Sequence, residues 1–148
     1  MDVAPPRAPV VGVGVVCLRG DEVLLVRRGR APREGEWSLP GGRLEWGERL
    51  AGAALRELRE ETGVEARLLG LVDVVDGLFA GGDGTVEHHY ALVDYAAAWT
   101  SGEPVAGDDA AEARFFTLAA ALETVTWSET RRVIQRAVDV HGGHDFAG

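Results

Sequence analysis

The chain predicts an α/β fold, a mixed β-sheet with helices packed against it. Three observations carry that expectation. Valine-rich apolar runs of strand length recur along the 148 residues, only two or three segments have helical character, and Gly, Pro and Asp punctuate the rest. An apolar fraction of 46% and a charged fraction of 26% are ordinary for a globular protein, and this length suits one domain with a real core.

The elements follow in order. Residues 1–9 hold three prolines and read as a flexible tail, the domain as residues 10–141, and residues 142–148 as a second tail. Val10 to Leu18 reads as a buried strand. Arg19-Gly20-Asp21 is a turn into a second strand, Glu22 to Arg28, giving a hairpin. A loop to Gly35 precedes a short extended piece, Glu36 to Pro40, because Pro40 pushes Leu39 away from helix. Gly41-Gly42 should begin a tight loop through Gly47. A helix is expected from Glu48 to Thr62, stopped by Gly63. Strands are expected at Glu65–Asp76, Val86–Ala97 and Ala113–Leu118, with a glycine-rich mobile loop at 77–84. Two helices close the chain, Ala119–Thr124 and Ser128–Val140, the latter with Ser128 as candidate N-cap.

The formal net charge of −9 argues against a nucleic-acid polymer as partner, since phosphate backbones are gripped by basic surface. It leaves room for a small phosphorylated ligand, because a divalent cation reconciles an acidic pocket with an anion. The single cysteine, Cys17, sits in an apolar run and reads as core. No run approaches the ~20 apolar residues of a membrane span, and the N-terminus lacks the pattern of a secretory signal. The expectation is therefore a cytoplasmic protein with no membrane contact.

Arg56-Glu57-Leu58-Arg59-Glu60-Glu61 carries the chemistry. On a helix at about 100° per residue, Glu57, Glu60 and Glu61 fall within about 100° of arc. Ala51, Ala54, Leu55 and Leu58 form an adjoining stripe that can face the sheet. A like-charge pair at i,i+4 costs roughly 0.2–0.5 kcal/mol even when exposed. A hard divalent cation would relieve the cluster, and Mg²⁺ and Mn²⁺ prefer carboxylate oxygen. Taken alone, the cluster also reads as a solvated acidic face with Arg56 and Arg59 as partners.

The wider spacing is more specific. Gly42, five residues, Glu48, seven residues, Arg56-Glu57-Leu58, one residue, Glu60-Glu61, one residue, Gly63-Val64 fixes nine positions over 23 residues. This resembles the Nudix box, the signature of the Nudix hydrolase superfamily. Trp37-Ser38-Leu39-Pro40-Gly41 leads into it in a similar way. The resemblance implies a Nudix-type α/β/α sandwich with a mixed sheet. It implies that Glu60 and Glu61 are the main metal ligands, that Glu57 is a further ligand or the group that activates water, and that a carbonyl of Gly41 or Gly42 completes the set. Arg56 and Glu48 are implied as an orienting ion pair. The implied cofactor is Mg²⁺, with Mn²⁺ as the alternative.

Outside the box, Arg27 and Arg28 are candidates for substrate phosphates. Strand alternation sends them to opposite faces, so one at most should enter the site. Asp108, Asp109 and Glu112 are candidates for an extra ligand or base, with Glu112 preferred. Trp46, beside the catalytic loop, is a candidate to stack on a nucleobase. His88 and His89 lack metal-site spacing, and Trp127 reads as core or interface.

The activity implied by the resemblance is cleavage of the diphosphate bond in a nucleoside diphosphate linked to another moiety, ADP-ribose or a nucleotide sugar first. The alternatives are a MutT-like nucleoside triphosphate pyrophosphohydrolase and a non-catalytic nucleotide sensor. A sensor should lose box glutamates, and all three are present. A homodimer is compatible, because similar enzymes commonly pair and apolar strand edges need cover.

Overall fold

A computed structural model describes residues 7–107 and 109–142. Most of both expected tails, and the candidate Asp108, lie outside the described residues. The elements are β1 (Val10–Arg19), β2 (Glu22–Arg28), β3 (Trp37–Ser38), β4 (Gly41–Arg43), α1 (Leu50–Thr62), β5 (Glu65–Ala80), β6 (Val86–Ser101), β7 (Ala110–Thr117), α2 (Leu118–Thr124) and α3 (Ser128–His141).

The seven strands form one mixed sheet in the order β3-β2-β1-β6-β5, with β4 beside β1 and β7 beside β2. Only β1 and β6 run parallel; every other pair is antiparallel. Strand alternation sorts the core into two layers. Val13, Val15 and Cys17 of β1 pack with Leu24 against Ala53, Ala54 and Leu58 of α1. Val16 and Leu18 pack with Leu25 and Phe116 against Ala121 of α2 and Val133, Ile134 and Ala137 of α3. The result is the expected α/β/α sandwich.

One feature of the sheet makes room for a site. The C-terminal end of β1 pairs with β2 at Leu18↔Val23, whereas its N-terminal half pairs with β4, from Gly12↔Arg43 to Gly14↔Gly41. The loop from Gly29 to Glu36 and the short β3 fill the divergence between these partners.

Besides strands that extend further than expected, β6 to Ser101 and β7 from Ala110, the structure departs from the expected elements at four places. Gly41-Gly42 is a strand, not the start of a loop, because glycine lets two backbones close in: a Cβ on Gly41 would overlap the Val13 carbonyl oxygen. Helix α1 starts at Leu50, two residues late, because Glu48 is held in a turn by its N–H donating to the Glu45 oxygen at 3.0 Å. The expected mobile loop at 77–84 is mostly hairpin. The β5–β6 pairing runs to Ala80↔Val86, and Gly81 N–H closes the turn on the Thr85 oxygen at 2.8 Å. Ser128 is the first helical residue of α3, and Trp127 occupies the cap position without a side-chain hydrogen bond. The stop at Gly63 is as expected: φ is 72°, and its N–H donates to the Arg59 oxygen.

Cys17 is fully buried, and burial pushes its thiol up to about 12, so it holds no thiolate near neutrality. Replacing Cys17 with Ser should cost about 1–3 kcal/mol of stability, from burying a hydroxyl, and leave most activity intact. Paired thermal melts and turnover assays check this; a folded Cys17→Ser protein with no activity would contradict the core assignment. Among the described residues, no helix is long and apolar enough to cross a membrane.

Candidate active site

A cleft of about 850 Å³ opens where β1 changes partner. Its lining falls into two parts. One is charged: Glu57, Glu60 and Glu61 of α1, Gly41 and Gly42 of β4, and Arg28, Arg30 and Asp109. The other is largely apolar and aromatic, with Leu39, Val75, Phe79, Tyr90, Leu92 and Trp127.

Helix α1 buries Ala53, Ala54 and Leu58 under the sheet, which turns its carboxylate edge towards β4. Gly41 N–H donates to Glu61 Oε2 at 2.8 Å, tying helix to strand. Gly42 is crowded by Glu57: a Cβ there would overlap the Glu57 carboxyl group. Gly42→Ala should therefore push the flexible end of Glu57 aside while the fold survives. We expect a loss of turnover of roughly tenfold or more with less than about 1 kcal/mol of destabilisation, read from kcat and a thermal melt.

Arg56 organises the cluster. It grips Glu48 through Nε–Oε2 at 2.6 Å and Nη2–Oε1 at 2.8 Å, donates from Nη1 to Glu57 at 2.7 Å and Glu60 at 3.1 Å, and reaches the Arg43 carbonyl at 3.1 Å. The pairing, foremost the hydrogen bonds from Arg56, pulls the Glu48 carboxyl down to about 2. The Arg56 guanidinium is driven further above its ordinary range, mainly by Glu48. Glu61 behaves oppositely. Burial pushes its carboxyl up to about 7; the Gly41 N–H opposes this, Glu57 adds to it, Arg28 opposes it and Asp109 adds to it.

The sequence profile of the NUDIX domain matches residues 8–137. The chain belongs to the Nudix family. The ADP-ribose pyrophosphatase of Methanocaldococcus jannaschii is 34% identical over 110 residues, 74% of this chain. The chain spans 63% of the length of that relative. A MutT NUDIX hydrolase from Burkholderia pseudomallei, known from its crystal structure, is 31% identical with a TM-score of 0.72, over 88% of this chain and 98% of its own. A bifunctional NMN adenylyltransferase/ADP ribose pyrophosphatase from Francisella tularensis, crystallised with AMP and a Mn ion, is 25% identical with a TM-score of 0.71, over 93% of this chain and 43% of its own.

The Nudix box residues named from the sequence come together here: Gly42, Glu48, Arg56, Glu57, Glu60 and Glu61 surround one corner of the cleft. Their donor set is all oxygen, carboxylate plus backbone carbonyl, which suits a hard divalent cation. As the side chains stand, Arg56 holds Glu57 and Glu60 and Gly41 holds Glu61. Among the described residues no three acidic, His or Cys side chains converge as an ion site. Arg56 takes one oxygen of each, Oε1 of Glu57 and Oε2 of Glu60, and so orients both carboxylates along the edge of the cleft.

The candidates outside the box divide. Arg28 lines the cleft, its Nε donating to the Pro32 carbonyl at 2.6 Å. Arg27 does not line it and pairs with Glu112 at 3.2 Å. Glu112 is thus drawn to an exposed surface pair outside the lining, while its neighbour Asp109 lines the cleft and pairs with Arg30 at 3.0 Å. Trp46 is fully exposed and lines no part of the cleft. Trp127, read from sequence as core or interface, is half-buried on the cleft wall, 5.2 Å from the Phe79 ring.

Proposed function

We propose that this Nudix chain is a divalent-cation-dependent hydrolase acting on pyrophosphate bonds, and that its substrate is a nucleoside diphosphate linked to another moiety, ADP-ribose or a nucleotide sugar. The observation that carries this reading is the two-part cleft. An intact box of carboxylates stands at one end, and a largely apolar, aromatic compartment that suits a nucleoside continues from it. The 34% identity to an archaeal ADP-ribose pyrophosphatase supports the choice of substrate.

Glu57, Glu60, Glu61 and the Gly42 carbonyl would hold the cation, Mg²⁺ or the Mn²⁺ present in the Francisella relative. When bound, it supplies charge neutralisation of the diphosphate and a lowered pKa for water. Arg28 and Arg30 face the same end of the cleft and bind phosphate oxygens. Arg56 and Glu48 fix the carboxylates. Glu57 or Glu61 takes the proton of the attacking water. The water oxygen bonds to one phosphorus, the bridging oxygen leaves with the other phosphate, and two phosphate monoesters result. No covalent enzyme intermediate is formed.

A second reading, a MutT-like pyrophosphohydrolase of nucleoside triphosphates, is favoured by the Burkholderia structure, which aligns over nearly its whole length. One panel separates the readings: ADP-ribose, nucleotide sugars, nucleoside triphosphates and dinucleoside polyphosphates, each with and without Mg²⁺ or Mn²⁺. Metal-dependent release of a nucleoside monophosphate from ADP-ribose or a sugar nucleotide is the expected result. Pyrophosphate release from triphosphates alone would favour the MutT-like activity. Binding without any turnover would make the chain a nucleotide sensor.

A further inference from the structure

The inner compartment of the cleft has a polar floor that the hydrolytic chemistry does not use. Asp94, on β6, is 7% exposed, lines the cleft and has no hydrogen-bond partner among the described residues. Its position follows from the sequence of β1, where Val-Gly-Val-Gly-Val puts valines 13 and 15 on the α1 face and leaves glycines 12 and 14 on the other. Gly14 lies directly across from Asp94, and a Cβ on Gly14 would overlap Asp94 Oδ1. The bare strand therefore makes room for the carboxyl group.

The charged groups that act on Asp94 are Asp73 of β5 and Arg132 of α3; none of the α1 glutamates does. Arg132 is already engaged by Asp73 and by Glu129, each at 2.6 Å, and Glu129 also lines the cleft. Among the described residues no side-chain oxygen is sealed off without a partner, so the Asp94 carboxyl group opens onto the cleft, where a ligand can supply the donor that the protein does not. The rings of Phe79, Tyr90 and Trp127 line the same compartment, which favours a flat aromatic ligand over a sugar.

We propose that Asp94 is the specificity-determining residue of the compartment and reads the N1 and 6-amino edge of an adenine base. The inference rests on the nucleotide-hydrolase reading above and names the base that this site takes. Burial, with Asp73 adding to it and Arg132 opposing, pushes the Asp94 carboxyl up to about 7, so the acid form is available near neutrality. The acid form sets one O–H donor beside one carbonyl acceptor. Adenine answers with one acceptor, N1, beside one donor, the 6-amino group. A guanine edge offers O6 beside N1–H, which the acid form also engages, so the decisive probe is the 6-amino group itself, and adenine is named here because the substrate reading above is ADP-ribose.

The test is calorimetric binding at pH 6.0 with Mg²⁺, using AMP, GMP and purine riboside 5′-monophosphate, which lacks the 6-amino group. The wild type, Asp94→Asn and Asp94→Leu are compared, each checked by thermal melt. The wild type should bind AMP at least about tenfold more tightly than the purine riboside 5′-monophosphate, and GMP no more tightly than AMP. Asp94→Asn, whose amide keeps one donor and one acceptor, should retain that preference, and Asp94→Leu should lose it. Equal binding of AMP and the deaminated analogue by the wild type, tighter binding of GMP, no nucleotide binding, or an unchanged preference in Asp94→Leu would each overturn the proposal. Turnover of ADP-ribose is scored separately. Turnover without base preference overturns the Asp94 assignment and leaves the hydrolase reading. Preference without turnover does the reverse.

Discussion

Glu61→Gln should lower kcat by at least about tenfold and leave the protein folded, with a metal-free melting temperature at pH 8 equal to or above that of the parent. The two expectations have one cause. Glu61 is a half-buried carboxylate on the cleft wall, and burial pushes it up to about 7 even though the Gly41 N–H favours its charged form. Without a cation its charge is a cost to the fold. The amide has the same size, its oxygen can still accept from Gly41, and the cost is gone. What the amide cannot supply is an anionic ligand for the cation. Activity and stability losing ground together would show that Glu61 is a structural residue.

The same group sets a pH dependence. Its folded-state pKa lies above the ordinary value of 4.5, so between 4.5 and about 7 the folded chain holds a proton that the unfolded chain has lost. Stability of the metal-free protein should therefore fall as pH rises through that window. Asp94, raised from 3.8 to about 7, acts in the same direction. Glu61→Gln should remove one of these two contributions and flatten the slope. A cation bound at the cluster competes with the Glu61 proton, so its affinity should weaken on acidification below pH 7.

How far the site could be read from the sequence depends on how local its determinants are. Glu57, Glu60 and Glu61 were legible because helical spacing alone puts them on one edge. Arg27 and Arg28 were legible in the same way: alternation separates them, and Arg28 alone lines the cleft. The choice between Glu112 and Asp109 turns on the β2–β7 register, which nothing in the sequence shows. That register runs unbroken from Glu22↔Thr117 to Arg27↔Glu112, which sets Glu112 beside Arg27, and it shifts only beyond that pair, where Arg28 faces Ala110. Trp46 lies within the box in sequence, between Gly42 and Glu48, yet its turn carries the ring into solvent. The inner compartment combines β1, β5, β6 and the start of α3, residues far apart in the chain, and no local spacing announces it. The one signal was an acid inside an apolar strand, Asp94 in Leu-Val-Asp-Tyr-Ala-Ala-Ala, because a lone charge in such a run needs a partner. The strand end at Ala80 was hidden by Gly77, whose weak strand preference is overridden by the paired partner, and the end at Ser101 by the alanine run at 96–98, beyond which Trp99 and Thr100 continue the strand.

Arg56→Ala should produce the other large effect, and it should fall on stability and activity together. Arg56 is the shared partner of Glu48, Glu57 and Glu60, with a side chain only 18% exposed. Removing it leaves Glu48 and Glu57, 19% and 17% exposed, without their principal cation, and detaches α1 from the Arg43 carbonyl of β4. Breaking a buried pair costs roughly 3–5 kcal/mol; the partial exposure here reduces that to about 1–3 kcal/mol, or a melting temperature lower by several degrees. Turnover should drop by about 10–100-fold, the range for groups that orient metal ligands. Arg56→Lys discriminates positioning from charge. Lysine keeps the charge but cannot span Glu48 and Glu57 with a planar fork, so it should restore much of the stability and little of the kcat. Full recovery of kcat in Arg56→Lys would mean that charge alone suffices. Unchanged kcat in Arg56→Ala would mean that the carboxylates hold their places without it.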